Sequence, residues 1–308
     1  MIISASRRSD IPAFYSRWFM NRIEAGYVLV ANPFNARQIR RIRLRPDAVD
    51  AIVFWTRHAA PLLPALPRLE ALGYRSLFHV TLTGYPSRLE PHLPPLEQAL
   101  ASFLALSRLL GPERVIWRYD PILLCNWLPV AEHQRRFSQL AAALAGHTRQ
   151  VVISFADLYG KSVRQLDRVP GLQYQDLLAQ PEPLAELLSA LQRTAAHYDL
   201  QLSSCAEAVD LSRWQIAPGR CIDVALLNRL FGLDLPQRKD PGQRAACGCA
   251  PSVDIGQYDS CPHGCAYCYA NRSQALAARN RARHDPASPL LLGDASQLDP
   301  QWLRPEPA

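Results

Sequence analysis

Short apolar runs alternate with longer amphipathic segments along the first two thirds of the chain. The short runs have the length and the aromatic and β-branched content of buried strands, and the longer segments have helical periodicity. Strands are predicted at residues 2–6, 51–55, 76–82, 115–119, 151–155 and 201–205. Helices are predicted at residues 13–25, 96–110, 130–145, 183–198, 222–231 and 269–284. Six βα units indicate an α/β fold with parallel strands and helical crossovers, two units short of an eight-fold barrel.

Two regions depart from this rhythm. Residues 27–30 and 40–44 flank a turn cluster at residues 32–35, which predicts a hairpin-like insertion. Residues 236–268 are rich in Gly, Pro, Arg and Cys, which is typical of a metal-organised region. We therefore expect a (β/α)6-type domain over residues 1–235 and a Cys-rich cluster-binding segment over residues 236–308. Its helix and proline-containing tail from Asp285 are expected to pack on the outside of the first part.

The composition is that of a soluble globular protein, with 48% hydrophobic and 20% charged residues among 308. The N-terminus has the wrong order of charged and apolar residues for a secretory signal, and no apolar stretch approaches a membrane span. These observations predict a cytoplasmic protein without a membrane partner. The net charge of +7 and the basic run at residues 37–45 permit contact with phosphates, but a solvated strand face in an Arg-rich protein is the favoured explanation of the run.

Polar residues follow each predicted strand, where parallel α/β proteins gather their sites. Arg7, Arg8 and Asp10 follow the first strand and can either grip an anionic group or form an ion pair at the rim. Arg118 and Asp120, beside the fourth strand, have the same two interpretations. The remaining residues in these positions are Trp55 to Arg57, Thr81 to Thr83, Asp157 and Glu207, of which Glu207 is a candidate base or amine ligand, or an ordinary rim carboxylate.

The most specific chemical signal is the spacing C-x3-C-x2-C formed by Cys261, Cys265 and Cys268, with Tyr267 in the last gap. Three thiolates at this spacing can hold three corners of a [4Fe-4S] cluster and leave one iron open to a small molecule. Zinc is the competing metal, because thiolates also form tetrahedral zinc sites. His263 lies inside the loop and is a further candidate ligand, unless it lines the site or points outward.

Four more cysteines, Cys205, Cys221, Cys247 and Cys249, are enough for a second cluster or a zinc site. One of them could instead supply a fourth ligand to the triplet, and Cys205 and Cys221 could be buried small hydrophobic residues. Cys125 stands alone in an apolar setting and is predicted to be structural.

Several segments resemble the bacterial domain-of-unknown-function family 1848 (DUF1848). They include the opening ISASRRSDIP, the segment GYVLVANPFN, the strand IVFWT and the terminal DIGQYDSCPHGCAYCYAN, so that the resemblance covers nearly the whole chain. It implies a partial (β/α)6 TIM-like barrel. The family's cysteine cluster is in turn similar to that of radical S-adenosylmethionine (SAM) enzymes, in which the open iron chelates SAM and one-electron reduction cleaves it to a 5′-deoxyadenosyl radical.

The resemblance makes Cys261, Cys265 and Cys268 the cluster ligands and matches Tyr267 to the aromatic residue beside the adenine. The sequence departs from ordinary radical SAM enzymes in two ways. The cysteines follow the last βα unit instead of the first strand, and there is no Gly-Gly-Glu segment of the kind that binds the SAM amine. A permuted arrangement, in which the C-terminal segment folds back beside Arg7 and Arg8, would reconcile the first departure.

The leading hypothesis is an iron-sulfur enzyme of radical SAM-like type with a small-molecule or nucleic-acid substrate and an electron-donor protein as partner. A second hypothesis is a zinc- or cluster-stabilised nucleic-acid-binding protein, whose affinity would depend on salt. A third is a redox or iron sensor in which the cluster is a switch.

Overall fold

The computed structural model describes residues 1–33, 35–298 and 302. In this part of the chain the strands are β1 (Ile2–Ala5), β2 (Tyr27–Asn32), β3 (Asn35–Arg43), β4 (Ala51–Thr56), β5 (Ser76–Thr81), β6 (Val115–Ile122), β7 (Gln150–Phe155), β8 (Gln201–Cys205), β9 (Ala217–Gly219) and β10 (Val253–Asp254). The helices are α1 (Ile11–Phe14), α2 (Ser16–Ala25), α3 (Leu66–Ala71), α4 (Leu96–Leu110), α5 (Val130–Leu144), α6 (Gly160–Leu166), α7 (Pro181–His197), α8 (Val224–Phe231) and α9 (Gln274–Ala282).

Eight of these strands form one sheet in the order β10-β1-β4-β5-β6-β7-β8-β9. Strand β1 runs parallel to β10 and β4, and β7 runs parallel to β6 and β8. The predicted mixed α/β fold with parallel strands is therefore confirmed, and all six predicted strands lie in this sheet. Among the described residues β10 and β9 form its two ends, so no closure into a barrel is seen.

The chain divides into two compact units. The first comprises Met1–Phe78, Ser252–Gly264 and Tyr269–Ala308, and the second comprises His79–Pro251 and Cys265–Cys268. Within the described residues, no helix has the length and apolar character needed to cross a membrane. The predicted boundary at residue 235 stays a prediction.

Aromatic packing anchors each unit. In the first unit the Phe54 ring stacks on Phe78 at 4.5 Å between centroids and meets the edge of Phe19 at 5.3 Å. In the second unit the Trp117 ring stacks on Phe137 at 4.8 Å, which joins β6 to α5. These side chains are fully buried, and rings of this size contribute much of a core's apolar area.

The helix predicted at residues 13–25 is two helices, because the chain breaks at Tyr15. This residue adopts φ −130° and ψ 20°, and its buried hydroxyl donates a 2.5 Å hydrogen bond to the Ser260 carbonyl. Helix α4 has the predicted bounds, and α9 is shorter than predicted because Ser273 caps its first turn by accepting from Leu276 N. Helix α6 was missed in the long connection after β7.

The predicted hairpin is confirmed as the antiparallel pair β2/β3, although Phe34 at its turn lies outside the described residues. Within the basic run, Arg40 and Arg43 are exposed, while the Arg41 guanidinium lies 3.8 Å from the centroid of the Tyr27 ring. The side chain of Arg37 lies outside the described part of the run. The run is therefore partly a solvated strand face and partly a packing surface.

The tail after Asp285 packs against other residues of the first unit. Trp18 Nε1 donates to the Ser288 carbonyl at 2.9 Å, and Leu29 N donates to the Pro289 carbonyl at 2.9 Å. Leu290 and Leu291 are buried. A proline-rich sequence has no periodicity that would reveal such burial. The tail residues 299–301 and 303–308 lie outside the described part.

Candidate functional site

In the first unit, the loop after β1 is organised by a carboxylate that lies about 250 residues away in the sequence. Asp254 Oδ1 accepts from Ser6 Oγ at 2.7 Å and from Arg8 Nη2 at 3.0 Å, and Oδ2 accepts from Ser4 Oγ at 2.9 Å and Arg7 N at 3.0 Å. Burial by itself would raise the pKa of Asp254, but Arg8 and these hydrogen bonds hold it below its usual range. Of the two roles considered for Arg8, anion binding and ion pairing, the structure has the ion pair, which Arg8 forms with Asp254.

Strand β10 places Asp254 in this position. Ser4 pairs with Asp254 in the parallel register of β1 and β10. The segment through Asp254 thus lies beside the residues at the end of the first strand. The sequence carries no local signal for this pairing, because β10 is only two residues long.

Gly256 permits the close approach of this segment to the loop. A Cβ atom at this position would lie 1.9 Å from Ser6 Oγ and 2.5 Å from Ser6 Cβ. We expect the Gly256→Ala variant to lose about 2–4 kcal/mol of unfolding free energy, because the buried neighbours must move. Urea denaturation measures this change. Gly160→Ala is the matched control, since its nearest neighbour would be a flexible arginine tip at 3.9 Å, and an unchanged Gly256→Ala midpoint would contradict the packing.

A second buried carboxylate, Asp10, collects four donors from separate parts of the first unit. Its Oδ1 accepts from Thr56 Oγ1 at 2.7 Å and from Ala13 N at 3.0 Å. Its Oδ2 accepts from Arg57 N at 2.8 Å and from His263 Nε2 at 2.8 Å. Asp10 therefore caps α1, fixes the end of β4 and orients a residue of the cysteine loop.

His263 points inward, and not toward solvent. It is 3% exposed, and the edge of its ring meets Phe14 at 4.6 Å between centroids. Its Nδ1 atom is buried and has no hydrogen-bond partner within the described residues. Burial lowers the pKa of the neighbouring His58. Asp10 acts to raise this pKa, and His263 lowers it further.

Arg7 differs from Arg8 in how its charge is used. Its guanidinium lies 5.3 Å from the centroid of the Trp55 ring, and its buried Nη2 has no hydrogen-bond partner in the described part of the chain. A cation held against an aromatic face with an unused donor is suited to an anionic group.

In the second unit, Arg118 and Asp120 form a buried pair on β6. Arg118 Nε donates to Asp120 Oδ2 at 2.9 Å, and Nη2 makes a shorter contact with the same oxygen. Asp120 also accepts from Thr81 Oγ1 at 3.3 Å. Burial acts to lower the pKa of Arg118, but Asp120, Cys221 and Cys205 together outweigh burial and raise the pKa well above its usual value. The guanidinium is therefore fixed and permanently charged.

Three of the four cysteines predicted for a second metal site lie beside this pair. Cys221 Sγ accepts from Arg118 Nη1 at 2.9 Å and lies 3.3 Å from Cys205 Sγ, while Cys249 Sγ accepts from Cys221 N at 3.2 Å. Cys247, the fourth, is also buried. The lone Cys125 is buried in a turn that its N–H closes with the Leu128 carbonyl.

Glu207 follows β8 and accepts from Phe155 N at 3.0 Å through Oε1. Burial raises its pKa to about 7. The carboxylate is thus held at the end of β7, with a pKa that suits proton transfer near neutral pH.

This shift makes a testable contribution to stability. Because the folded pKa lies above the unfolded value, the wild type loses stability as the pH rises from about 4.5 to 7. We expect Glu207→Gln to remove this loss and to gain about 1–2 kcal/mol relative to wild type at pH 8, after allowance for solvent screening. Urea denaturation at pH 4.5 and 8 measures the difference. Exposed Glu182 is the control position, and a constant difference between Glu207→Gln and wild type across this range would contradict the shift.

The cysteine triplet is divided between the two units, with Cys261 in the first and Cys265 and Cys268 in the second. Cys261 is half-buried, and its carbonyl accepts from Asn271 Nδ2 at 2.6 Å in the first unit. In the second unit Cys265 is buried, Cys268 is half-buried, and Cys268 N donates to the Cys265 carbonyl at 3.1 Å. Gly264 adopts φ +75°, a conformation that favours glycine, between the first two cysteines. All eight cysteines of the chain are described and are thiols without disulfides.

The residues between Cys265 and Cys268 are held by the segment after β5. Ala266 N donates to the Leu89 carbonyl at 2.9 Å, and the Tyr267 hydroxyl makes a short hydrogen bond to Glu90 Oε1. The same carboxylate accepts from Thr83 Oγ1 at 2.9 Å. Glu90 is 5% exposed. It was not singled out in the sequence, because the neighbouring residues in the chain are those expected around a solvated glutamate.

Within the described residues, no group of three or more His, Cys, Asp or Glu side chains is placed so that it could hold a metal ion. A single metal ion needs ligands that converge on one point. A [4Fe-4S] cluster binds one cysteine at each ligated iron, so its thiolates surround a larger volume and do not converge on a point.

Together these features define an α/β protein with a parallel sheet, polar loops after its strands and a thiol-rich C-terminal segment. The family model described as "Domain of unknown function (DUF1848)" matches residues 2–270, and the chain belongs to this family. No curated protein and no solved structure matched the chain.

Proposed function

We propose that the protein is an iron-sulfur enzyme of radical SAM-like type, in which Cys261, Cys265 and Cys268 hold a [4Fe-4S] cluster. The observation that carries the proposal is the C-x3-C-x2-C spacing of three thiols, none of them in a disulfide. When bound, such a cluster supplies an electron for the reductive cleavage of SAM. The partial (β/α)6 barrel implied by the resemblance belongs to the same proposal, supported by the six parallel strands in chain order.

The donor set fits this group chemically. Thiolates are the ligands of iron-sulfur clusters, and a loop with a left-handed glycine allows closely spaced thiols to face one object. His263 is fixed by Asp10 through Nε2, which leaves Nδ1 buried and directed away from that bond. Tyr267 is held through its hydroxyl by Glu90, so the ring edge and face are set for packing against a planar group such as adenine.

Each unit, taken by itself, offers side chains with the chemistry to bind a substrate or move a proton. Arg7 has a buried N–H donor without a partner in the described residues, and the Trp55 ring packs against its guanidinium. It can therefore bind an anionic group, whereas the Arg8 guanidinium is already paired with Asp254. Glu207 has the raised pKa of a residue that can hold or release a proton near neutral pH. We therefore assign anion binding to Arg7 and proton transfer to Glu207. Arg118 and Asp120 form a fixed charged pair that can position a polar substrate.

The experiment is anaerobic reconstitution with iron and sulfide, followed by dithionite reduction in the presence of SAM and chromatography for 5′-deoxyadenosine and methionine. We expect both products from the wild type and only background amounts from Cys265→Ala. Cys125→Ala is the matched control, because this thiol is buried in a separate turn. A protein that binds iron but releases neither product would overturn the SAM assignment.

A protein that binds only zinc would favour the alternative, a metal-stabilised nucleic-acid-binding protein. The exposed Arg40 and Arg43 on β3 favour this second candidate, since exposed arginines on one strand can contact phosphates. Its affinity for nucleic acid would fall steeply with added salt.

A further inference from the structure

Two cysteine thiols in the second unit lie unusually close together. Cys205 is the last residue of β8, and Cys221 lies two residues after the end of β9. Their Sγ atoms are 3.3 Å apart, and the two residues are not joined by a disulfide. The sulfurs of a disulfide lie about 2.05 Å apart, so the two thiols need to approach by about 1.3 Å to form the bond.

The backbone holds this pair in place. Strands β8 and β9 are parallel, with Cys205 opposite Gly219. A Cβ at Gly219 would lie 2.8 Å from Ser203 Oγ and 2.9 Å from the Ser204 carbonyl oxygen, so glycine allows β9 to approach β8 closely. The register of β8 and β9 and the close approach of their backbones therefore bring the chain just after β9 to the end of β8.

The surroundings give the two cysteines different chemical roles. Cys221 is buried and accepts from the Arg118 guanidinium at 2.9 Å. The contact with Cys221 and burial raise the pKa of Cys205, while Arg118 acts to lower it. The contacts with Cys205 and Arg118 act to lower the pKa of Cys221, but the contact with Cys249 and burial raise it overall. Cys205 is half-buried, so it is the thiol that a dissolved reagent reaches first. Cys249 Sγ accepts from the backbone N–H groups of Cys221 and Ile222, which fixes the third thiol beside the pair.

We propose that Cys205 and Cys221 form a redox-active dithiol that closes reversibly to a disulfide with small-molecule disulfides such as oxidised glutathione. The Cys205 thiolate attacks one sulfur of glutathione disulfide, forms a mixed disulfide and releases the first glutathione thiolate. The Cys221 thiolate then attacks the Cys205 sulfur and releases the second. The two cysteines lose two electrons and two protons, and glutathione disulfide gains them as two molecules of glutathione.

This couple is linked to the charged pair on β6. Arg118 binds Asp120 and Cys221 at the same time, so closing the disulfide replaces a thiol acceptor of the guanidinium by a weaker one. Oxidation of the two thiols therefore weakens a hydrogen bond that fixes Arg118, the residue that we expect to position a substrate. The dithiol does not depend on the cluster, since neither cysteine belongs to the C-x3-C-x2-C triplet.

Peptide mapping tests the proposal on the full-length wild-type chain. The protein is equilibrated anaerobically in glutathione buffers of increasing oxidation, quenched with acid, alkylated and digested with trypsin. Cleavage after arginine places Cys205 in peptide 194–213, Cys221 in peptide 221–229 and Cys249 in peptide 245–272. We expect the linked pair 194–213 and 221–229 to rise from below about one tenth to above about half of the molecules, and to disappear with dithiothreitol.

Two variants sharpen the result. Cys221→Ser should lose the linked pair and retain glutathione on peptide 194–213, while Cys249→Ser should retain the link. The peptide containing Cys125 should stay alkylated throughout and serves as an internal control. The proposal is overturned if no linked pair forms in folded wild-type protein, if Cys221 links to peptide 245–272 instead, or if the thiols are protected by a tightly bound metal whose removal by a chelator restores alkylation.

Discussion

The Cys265→Ala variant is expected to retain less than about one iron atom per chain after anaerobic reconstitution, compared with about four for the wild type. Each thiolate of the triplet holds one iron of the cluster. In the variant, the two remaining thiolates leave the third iron without its ligand, so the cluster is not retained. Cys261→Ala and Cys268→Ala should have the same effect. Iron and acid-labile sulfide assays measure the loss of cluster. The visible absorbance from sulfur-to-iron charge transfer gives an independent measure.

Two controls separate this effect from general damage. Cys125→Ala removes a buried thiol outside all of the proposed sites and should leave the iron content unchanged. Cys221→Ala removes a thiol of the redox pair and should also leave the triplet's cluster intact. Equal iron content in wild type and Cys265→Ala, with both proteins folded by circular dichroism, would contradict the assignment of the triplet as ligands.

The second large effect is expected for Asp10. The Asp10→Ala variant should lose about 3–5 kcal/mol of unfolding free energy, because it leaves the donors of Thr56, Arg57 and His263 without their buried acceptor. Asp10→Asn should lose less, since one oxygen acceptor remains. Urea denaturation of the protein without added metal measures both changes independently of the cluster.

Asp47→Ala is the matched control in the same unit. Asp47 is 63% exposed and pairs with Arg43 at 2.9 Å, and exposed ion pairs contribute about 0–1 kcal/mol. A double-mutant cycle of Asp10→Asn with His263→Ala should give a coupling energy of about 1 kcal/mol or more. An Asp10→Ala midpoint equal to that of Asp47→Ala would refute the role of Asp10 as a buried hub.

Much of the sheet could be predicted from the sequence, because each central strand carries its own local signal. The strand Ala51–Thr56 is buried along nearly its whole length and appears in the sequence as a short continuous apolar run. The helix Leu96–Leu110 buries one face and shows the helical period in its apolar residues. The arginines and Asp10 after β1 could also be singled out, because parallel strands direct their carboxyl ends to one edge.

The partners of these residues could not be predicted, because they depend on contacts between distant parts of the chain. Asp254 reaches Arg8 only because the two-residue strand β10 pairs with β1. The break at Tyr15 arises from the hydrogen bond to Ser260, which is 245 residues away. Glu90 resembles any surface glutamate until its contact with Tyr267 is known. The periodicity of apolar residues gives no information about contacts between distant parts of the chain. A cysteine motif identifies candidate ligands, but it does not identify the residues that orient them.

The central claim, that Cys261, Cys265 and Cys268 hold a [4Fe-4S] cluster with one open iron, is tested most directly by electron paramagnetic resonance. The reconstituted protein is reduced anaerobically and measured with and without SAM. We predict the spectrum of a reduced [4Fe-4S] cluster whose g values change when SAM is added. A protein without such a signal that contains only zinc, or a cluster spectrum that SAM leaves unchanged, would contradict the claim.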